Sequence, residues 1–334
     1  MTPKVSSSKI HSRIVGTGAY LPERIMTNAD LEKIVETTDA WITERTGIRE
    51  RRIAADDEFT SDMGAKAAQQ ALTMAGVTAD EVDLIIVSTF TPDTIFPSTA
   101  CRIQHAIGAK KAGAFDLQAA CSGFLYSLVV ADQFLISGLY RNILVIGSEK
   151  ISSVLNWNDR NTCVLFGDGA GAVLLQATEQ GRGLIVSDLR SDGGETEMLT
   201  IPASGCRMPV TQQILDQKSN CLFMAGKEVF KKAVTAMGGS MGHCLKSSGI
   251  DSQEIKWVVP HQANLRIIDA LVQRLDLPRE QVYVNLDRFG NMSAACIPVA
   301  LHELNVSGKL ERGDLILMTA FGGGLTWASA ILEW

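Results

Sequence analysis

Phe115-Asp-Leu-Gln-Ala-Ala-Cys121-Ser-Gly-Phe124 leads into an apolar helical run, Ser137-Gly138, the strand-like Ile143-Leu-Val-Ile146 and then Phe166-Gly-Asp-Gly169. The same order returns later as Phe289-Gly-Asn291-Met-Ser-Ala-Ala-Cys296, a helical run, Ser307-Gly308, Leu315-Ile-Leu-Met318 and Phe321-Gly-Gly-Gly324. Ala-Ala-Cys aligns with Ala-Ala-Cys, Ser-Gly with Ser-Gly, and Phe-Gly-x-Gly with Phe-Gly-x-Gly. Solenoid repeats run only ~20–50 residues, so similarity on this longer scale reads as two halves of one duplicated fold. The expected division is residues 1–180, carrying the candidate nucleophile Cys121, and residues 181–334, carrying polar partners for it. Non-identical copies of this kind point to one active site shared between the halves.

Outward from these stretches the chain alternates strands and helices. Ile14-Val-Gly-Thr-Gly-Ala reads as a strand with a glycine turn, and Asn28-Ala-Asp30 as the cap of a helix from Leu31 to about Thr38. A long helix is predicted from Ser61 to Gly76, another over Ser98–Ile107, and strands at Asp83–Ser88, Phe115–Leu117 and Ala170–Leu175. The second half predicts helices over Lys227–Ser247 and Ile267–Leu275, and strands at Trp257–Val259 and Val282–Val284. The segment between, Ser187 to Asn220, is rich in Gly and Pro and reads as mainly loop. Strands such as Asp83-Leu-Ile-Ile-Val-Ser88 are apolar on both faces, as sheets covered on both sides require. The class is α/β with buried, mixed sheets.

Composition bounds the function. The 334 residues can build two domains or one large body, and 46% hydrophobic with 20% charged residues is ordinary globular usage. With 31 basic against 37 acidic residues the net charge is -6, a field that disfavours nucleic acid as a partner. No apolar run reaches the ~18 residues of a membrane span. Met1–Lys9 has no apolar stretch behind it and reads as a short disordered leader, so a cytoplasmic protein is expected. Seven cysteines without tight pairing fit free thiols in a reducing compartment.

Cys121 follows a strand and opens a helix, where backbone N–H groups and the positive helix end favour the thiolate over a thiol of pKa ~8.5. The bland alternative is an inert buried cysteine, the role expected of Cys296 in the matching copy. His261 stands in Val258-Val-Pro-His-Gln-Ala-Asn264, between an apolar strand and a helix, where open α/β sheets bind ligands. His105 follows Cys101 by one helical turn but lacks further ligands at metal spacing; His302 sits on a helix and His11 in the leader. Asn291 lies in a glycine-turned loop before a helix, either as a cap or as a donor to a ligand. Gly322-Gly-Gly324 lets backbone N–H groups approach a ligand, as an oxyanion hole needs. Gly16-x-Gly18 and Phe166-Gly-Asp-Gly-Ala-Gly171 lack dinucleotide spacing and read as structural turns.

Ala120-Cys121-Ser-Gly-Phe, Pro260-His261-Gln-Ala-Asn264, Gly290-Asn291-x-Ser-Ala-Ala and Phe321-Gly-Gly-Gly324 occur in this order, with Trp41-Ile-x-x-Arg-Thr-Gly-Ile-Arg49 ahead of them. Together they closely resemble the β-ketoacyl-acyl-carrier-protein synthase III family of fatty-acid synthesis, from about Ile10 to Trp334. The resemblance implies a thiolase-like, five-layered αβαβα fold built from two duplicated halves, and a homodimer. It implies decarboxylative Claisen condensation of a short acyl-CoA, acetyl-CoA foremost, with malonyl-acyl-carrier-protein, without metal or redox cofactor. Cys121, His261 and Asn291 would be catalytic, with Cys121 and Gly323 N–H groups forming the oxyanion hole.

The same resemblance places Trp41 and Arg160 around the CoA adenine, Arg45 near its phosphates, and Phe96 across the dimer at the acyl pocket. Asn264 would support the catalytic region through water, and Lys231, Arg266 and Arg274 would dock the acidic carrier protein. Lys227 and Gln273 depart from the family pattern, which commonly has Asn on the pantetheine tunnel and a basic residue, respectively. The competing expectation is a specialised condensing or acyl-transfer enzyme of secondary metabolism using the same triad. A non-catalytic acyl-CoA or carrier-protein binding scaffold would require loss of a triad residue, and none is lost.

Overall fold

The computed structural model describes residues 10–334, so the expected leader Met1–Lys9 lies outside the described residues. In the first half the sheet strands are β1 (His11–Tyr20), β2 (Leu84–Ser88), β3 (Gly113–Leu117), β4 (Asn142–Glu149) and β5 (Gly169–Thr178). The second half supplies β6 (Leu184–Ser191), β7 (Ile255–Pro260), β8 (Leu315–Gly322) and β9 (Thr326–Glu333). The helices that cover them are α1 (Asp39–Thr46), α2 (Thr60–Ala75), α3 (Thr99–Ala106), α4 (Gly123–Ile136), α5 (Gly226–Ser248), α6 (Leu265–Leu275) and α7 (Cys296–Val306).

The first sheet runs β1-β5-β4-β2-β3 and the second β6-β9-β8-β7. In each, two parallel strands, β2 with β4 and β7 with β8, are extended by two antiparallel ones. The duplication is therefore visible in topology. Within the two large sheets the mismatch is β3, which pairs in parallel with β2. In the second half the corresponding segment, expected as a strand over Val282–Val284, makes only one parallel bridge, Val282 to Val258. A side chain takes the ladder's place there: Gln262 Nε2 donates to the Tyr283 carbonyl at 3.2 Å.

Strand periodicity sorts the core into layers. Ile85 and Val87 of β2 pack with α2 and α3 on the outside, whereas Leu84 and Ile86 face inward. The inward set joins α4 and α7 to Val259 of β7 and Ile316 and Met318 of β8. Leu315 and Leu317 turn the other way, onto α5 and α6. The result is five layers, helix–sheet–helix–sheet–helix, with α4 and α7 enclosed between the sheets. This accounts for the strands being apolar on both faces.

Several expectations change. The helix expected from Leu31 to Thr38 is one turn, Asn28–Leu31, capped by Thr27 and Asp30; Thr38 then caps α1 through the Trp41 N–H. Ser187–Ser191 belongs to β6, an edge strand whose half-exposed, mixed face hid its period. His11 begins β1 rather than lying in the leader. Gly16 and Gly18 are inside β1, where a Cβ would stand 2.1 and 2.0 Å from α2 carbonyl oxygens, so they mark close strand–helix approach and not turns. Among the described residues no helix is long and apolar enough to cross a membrane.

Candidate active site

Beyond β3 the chain makes a single tight turn over Ala120–Ser122 before α4, and this turn presents Cys121. Ala120 holds φ at +46°, a left-handed conformation that costs a non-glycine residue about 1 kcal/mol or more. The turn rests on the other half of the fold. A Cβ at Gly322, the end of β8, would lie 2.6 Å from the Cys121 nitrogen. Reciprocally, a Cβ at Gly147 in β4 would lie 2.2 Å from the Ala294 carbonyl oxygen in the turn before α7. Each reactive turn is thus seated on the sheet of the opposite half, at a place where only glycine leaves room.

His261 follows β7 directly, and its N–H donates to the Thr319 carbonyl on β8 at 2.7 Å. Asn291 is fixed by the first half: its N–H donates to the Leu165 carbonyl at 2.8 Å, and its own carbonyl accepts from Gly167 N–H at 3.0 Å. The Phe166-Gly-Asp-Gly stretch, read as a structural turn, is therefore the support of Asn291. The Asn291 side-chain oxygen accepts from Ser293 N–H at 2.8 Å. With that oxygen occupied, the amide offers its two N–H donors to a ligand.

Cys121, His261 and Asn291 line one cavity of about 1750 Å³, together with Phe321, Gly323 and Gly324. All three side chains are buried, at 8%, 3% and 6% exposure. Burial pushes His261 down to about 3, so the imidazole is neutral at ordinary pH, and its Nδ1 has no partner in the fold. Burial pushes the Cys121 thiol up to about 12, with the nearby Glu149 charge adding to the rise. This differs from the expectation of a favoured thiolate: at this turn, desolvation raises the thiol. The Cys121 proton must leave before its sulfur can attack a thioester. Alkylation of Cys121 by iodoacetamide, followed by peptide mass spectrometry, should accelerate through pH 9 without a plateau. A plateau reached by neutral pH would mean a preformed thiolate.

Cys296 does not line this cavity. It is fully buried, its sulfur accepts from Met292 N–H at 3.2 Å, and burial raises its pKa above the ordinary thiol range. It serves the Asn291 loop instead.

The exposed rim carries Arg45, Arg160, Lys227, Lys231 and Arg266. Among the described residues no carboxylate pairs with any of the five. Trp41 is flanked by the guanidinium carbons of Arg45 and Arg160, 5.2 and 5.1 Å from its ring centroid. Arg160 thus lies within cation–π reach of Trp41. Lys227 adds a cation to the rim where an amide was the family expectation.

Other expected contacts are more scattered. Asn264 caps α6, its oxygen accepting from Arg266 N–H at 2.9 Å, and donates to the Arg45 carbonyl at 3.1 Å. Arg274 lies against Gly238 of α5 and does not line the cavity, and Gln273 is exposed beside it. Phe96 does not line this chain's cavity either; it stands 87% exposed next to Ile95 at 88%. Two residues at the site went unread in the sequence. Gln262, fully buried, ties Pro260 and Asn285 together behind His261. Glu149, fully buried, closes the apolar strand β4.

The family described as 3-oxoacyl-[acyl-carrier-protein (ACP)] synthase III matches residues 115–193, and its C-terminal counterpart matches residues 245–334. A β-ketoacyl-[acyl-carrier-protein] synthase III of Caldanaerobacter subterraneus subsp. tengcongensis is 50% identical over 326 residues, 98% of each chain. The crystal structure of 3-oxoacyl-[acyl-carrier-protein] synthase III from Aquifex aeolicus superposes with a TM-score of 0.90 at 48% identity, covering 97% of this chain and all of that one. The priming β-ketosynthase of a polyketide biosynthetic pathway is 37% identical, with a TM-score of 0.90 over 99% of this chain and 98% of its own.

Proposed function

The chain belongs to the 3-oxoacyl-[acyl-carrier-protein] synthase III family, and from that premise we propose how its cavity initiates fatty-acid synthesis. The reaction is condensation of a short acyl-CoA with malonyl-acyl-carrier-protein to a 3-oxoacyl-acyl-carrier-protein. The observation that carries the mechanism is the convergence of Cys121, His261 and Asn291 in one cavity with an unpaired cationic rim. Cys121 sulfur attacks the acyl-CoA carbonyl, CoA leaves as the thiol, and an acyl-cysteine remains. The N–H groups of Cys121 and Gly323 hold the oxyanion.

Malonyl on the carrier's pantetheine arm then loses carbon dioxide, and negative charge gathers on its thioester oxygen. Neutral His261 and the Asn291 amide each donate to that oxygen, a stabilisation commonly worth about 3 kcal/mol per donor. The resulting enolate carbon attacks the acyl-cysteine carbonyl and releases Cys121. Every bond made or broken lies in the two thioesters and this cysteine, so the steps balance without a metal or redox group.

At the rim, the Trp41–Arg160 stack takes the CoA adenine and Arg45 its phosphates. Lys231 and Arg266 receive the acidic carrier protein, with Arg274 an outer contact. Exposed Phe96 closes the acyl pocket of a second copy in a homodimer. Free thiols and the absence of a membrane-spanning helix among the described residues fit a cytoplasmic enzyme. The polyketide-priming relative is the more distant of those compared, and primary fatty-acid synthesis is the favoured role. Mass spectrometry of the protein after exposure to a panel of acyl-CoAs tests this directly. One acyl group on Cys121, discharged by malonyl-acyl-carrier-protein with release of carbon dioxide, is expected; acylation elsewhere overturns it.

Lys231→Glu and Arg266→Glu should each weaken use of malonyl-acyl-carrier-protein by about 10-fold at low salt, because reversing a rim charge mainly slows association. Acylation by acyl-CoA should change little, and raising the salt should shrink the defect. Steady-state kinetics across a salt series checks both. Unchanged apparent affinity at low ionic strength would place the carrier elsewhere.

A further inference from the structure

Among the buried ionisable groups outside the catalytic triad, Glu149 is tied to the cavity wall through the loop after β2. It ends β4 fully buried, and among the described residues no cation pairs with it. One of its oxygens, Oε2, accepts from Thr89 Oγ1 at 3.1 Å, Phe90 N–H at 3.2 Å, Thr91 N–H at 3.2 Å and Thr91 Oγ1 at 2.5 Å. These donors belong to the loop leaving β2, whose residues Phe90, Thr91 and Pro92 line the same cavity as Cys121. Further along, Thr60 Oγ1 holds the Thr91 carbonyl at 2.6 Å and Ser61 N–H holds the Asp93 carboxylate at 3.0 Å. A buried carboxylate without a counter-ion is expensive, and here burial pushes it up to about 7. A fold needing only a filled space at this point would have no use for it.

We propose that Glu149 is a positioning residue that sets which acyl groups the cavity accepts, by clamping Thr89–Thr91 as a rigid wall beside Cys121. The inference rests on the functional reading above and adds a specificity determinant to it. Removing the clamp lets the loop yield, so longer acyl chains gain relative to short ones.

The test compares Glu149→Ala, Glu149→Gln and Thr91→Val with the native protein, each acylated in single-turnover reactions by acetyl-CoA and by hexanoyl-CoA. Intact-mass spectrometry reads the acyl-enzyme. Glu149→Ala and Thr91→Val should raise the hexanoyl-to-acetyl ratio of acylation efficiency by about 5-fold or more. The change should lie mainly in the concentration dependence. Glu149→Gln, whose amide oxygen can replace Oε2, should restore most of the native ratio. Thr91→Val keeps the question open to test if Glu149→Ala does not fold. Equal losses for both thioesters, or a glutamine variant behaving like alanine, would overturn the inference while native acylation stands. A native protein that takes no acyl group from any CoA thioester overturns the functional reading and this inference together.

Discussion

Cys121→Ser should abolish acyl transfer, lowering self-acylation by on the order of 10⁴-fold or more, as removal of a nucleophile does in other covalent mechanisms. The oxygen of a serine holds its proton far more tightly than sulfur, and this site already penalises charge: burial raises even the thiol to about 12. A serine there meets the same desolvation with a much weaker acid. The substitution is nearly isosteric, so the thermal midpoint should move by only a few degrees. Acyl-CoA turnover with intact-mass detection, beside a melting curve, separates lost chemistry from lost structure. Substantial acylation of the serine variant, or label on Cys296 in the native protein, would remove Cys121 as nucleophile.

His261→Ala and Asn291→Ala should each cost about 10²–10³-fold in decarboxylation and much less in acylation, because only the second half-reaction places charge where both side chains donate. Malonyl-acyl-carrier-protein decarboxylation, followed with preformed acyl-enzyme, isolates that step. Comparable losses in both half-reactions would mean a shared role. The pH dependence is a further signature. A histidine lowered to about 3 stays neutral as pH falls through 6.5, so decarboxylation should show no titration near the ordinary histidine value between pH 5 and 8. An acid limb centred near 6.5 that persists in Glu149→Gln would show that His261 titrates as an exposed imidazole.

Much of this architecture was legible in the chain itself. The two Ala-Ala-Cys stretches and their matching strands told of duplication, and the unbroken apolar runs in Leu84–Val87 and Leu315–Met318 told of sheets covered on both faces. Both follow from local pattern: a period of two along a strand and the cost of exposing apolar surface. The inventory of chemistry was equally local, since cysteine and histidine stood at strand ends where α/β sheets place ligands, and asparagine in a glycine-turned loop before a helix. The Val282–Val284 segment misled, because its β-branched residues suit a strand while the Gln262 amide, distant in sequence, occupies the carbonyl a ladder would need.

What tertiary structure alone decided is the state in which those groups meet. The sequence placed Cys121 between a strand and a helix; only the enclosing halves determined that desolvation raises its thiol. Asn291 was visible as a turn residue, but the Leu165 and Gly167 bonds that hold it come from more than a hundred residues away. Trp41 and Arg160 were paired only by the family resemblance, whereas the guanidinium's place 5.1 Å from the ring centroid came from the fold. Local sequence fixes propensities and the order of elements, because those depend on neighbours along the chain. Ionisation, donor direction and cavity walls depend on neighbours in space, and the field at a buried atom is set by whatever the folded chain packs around it.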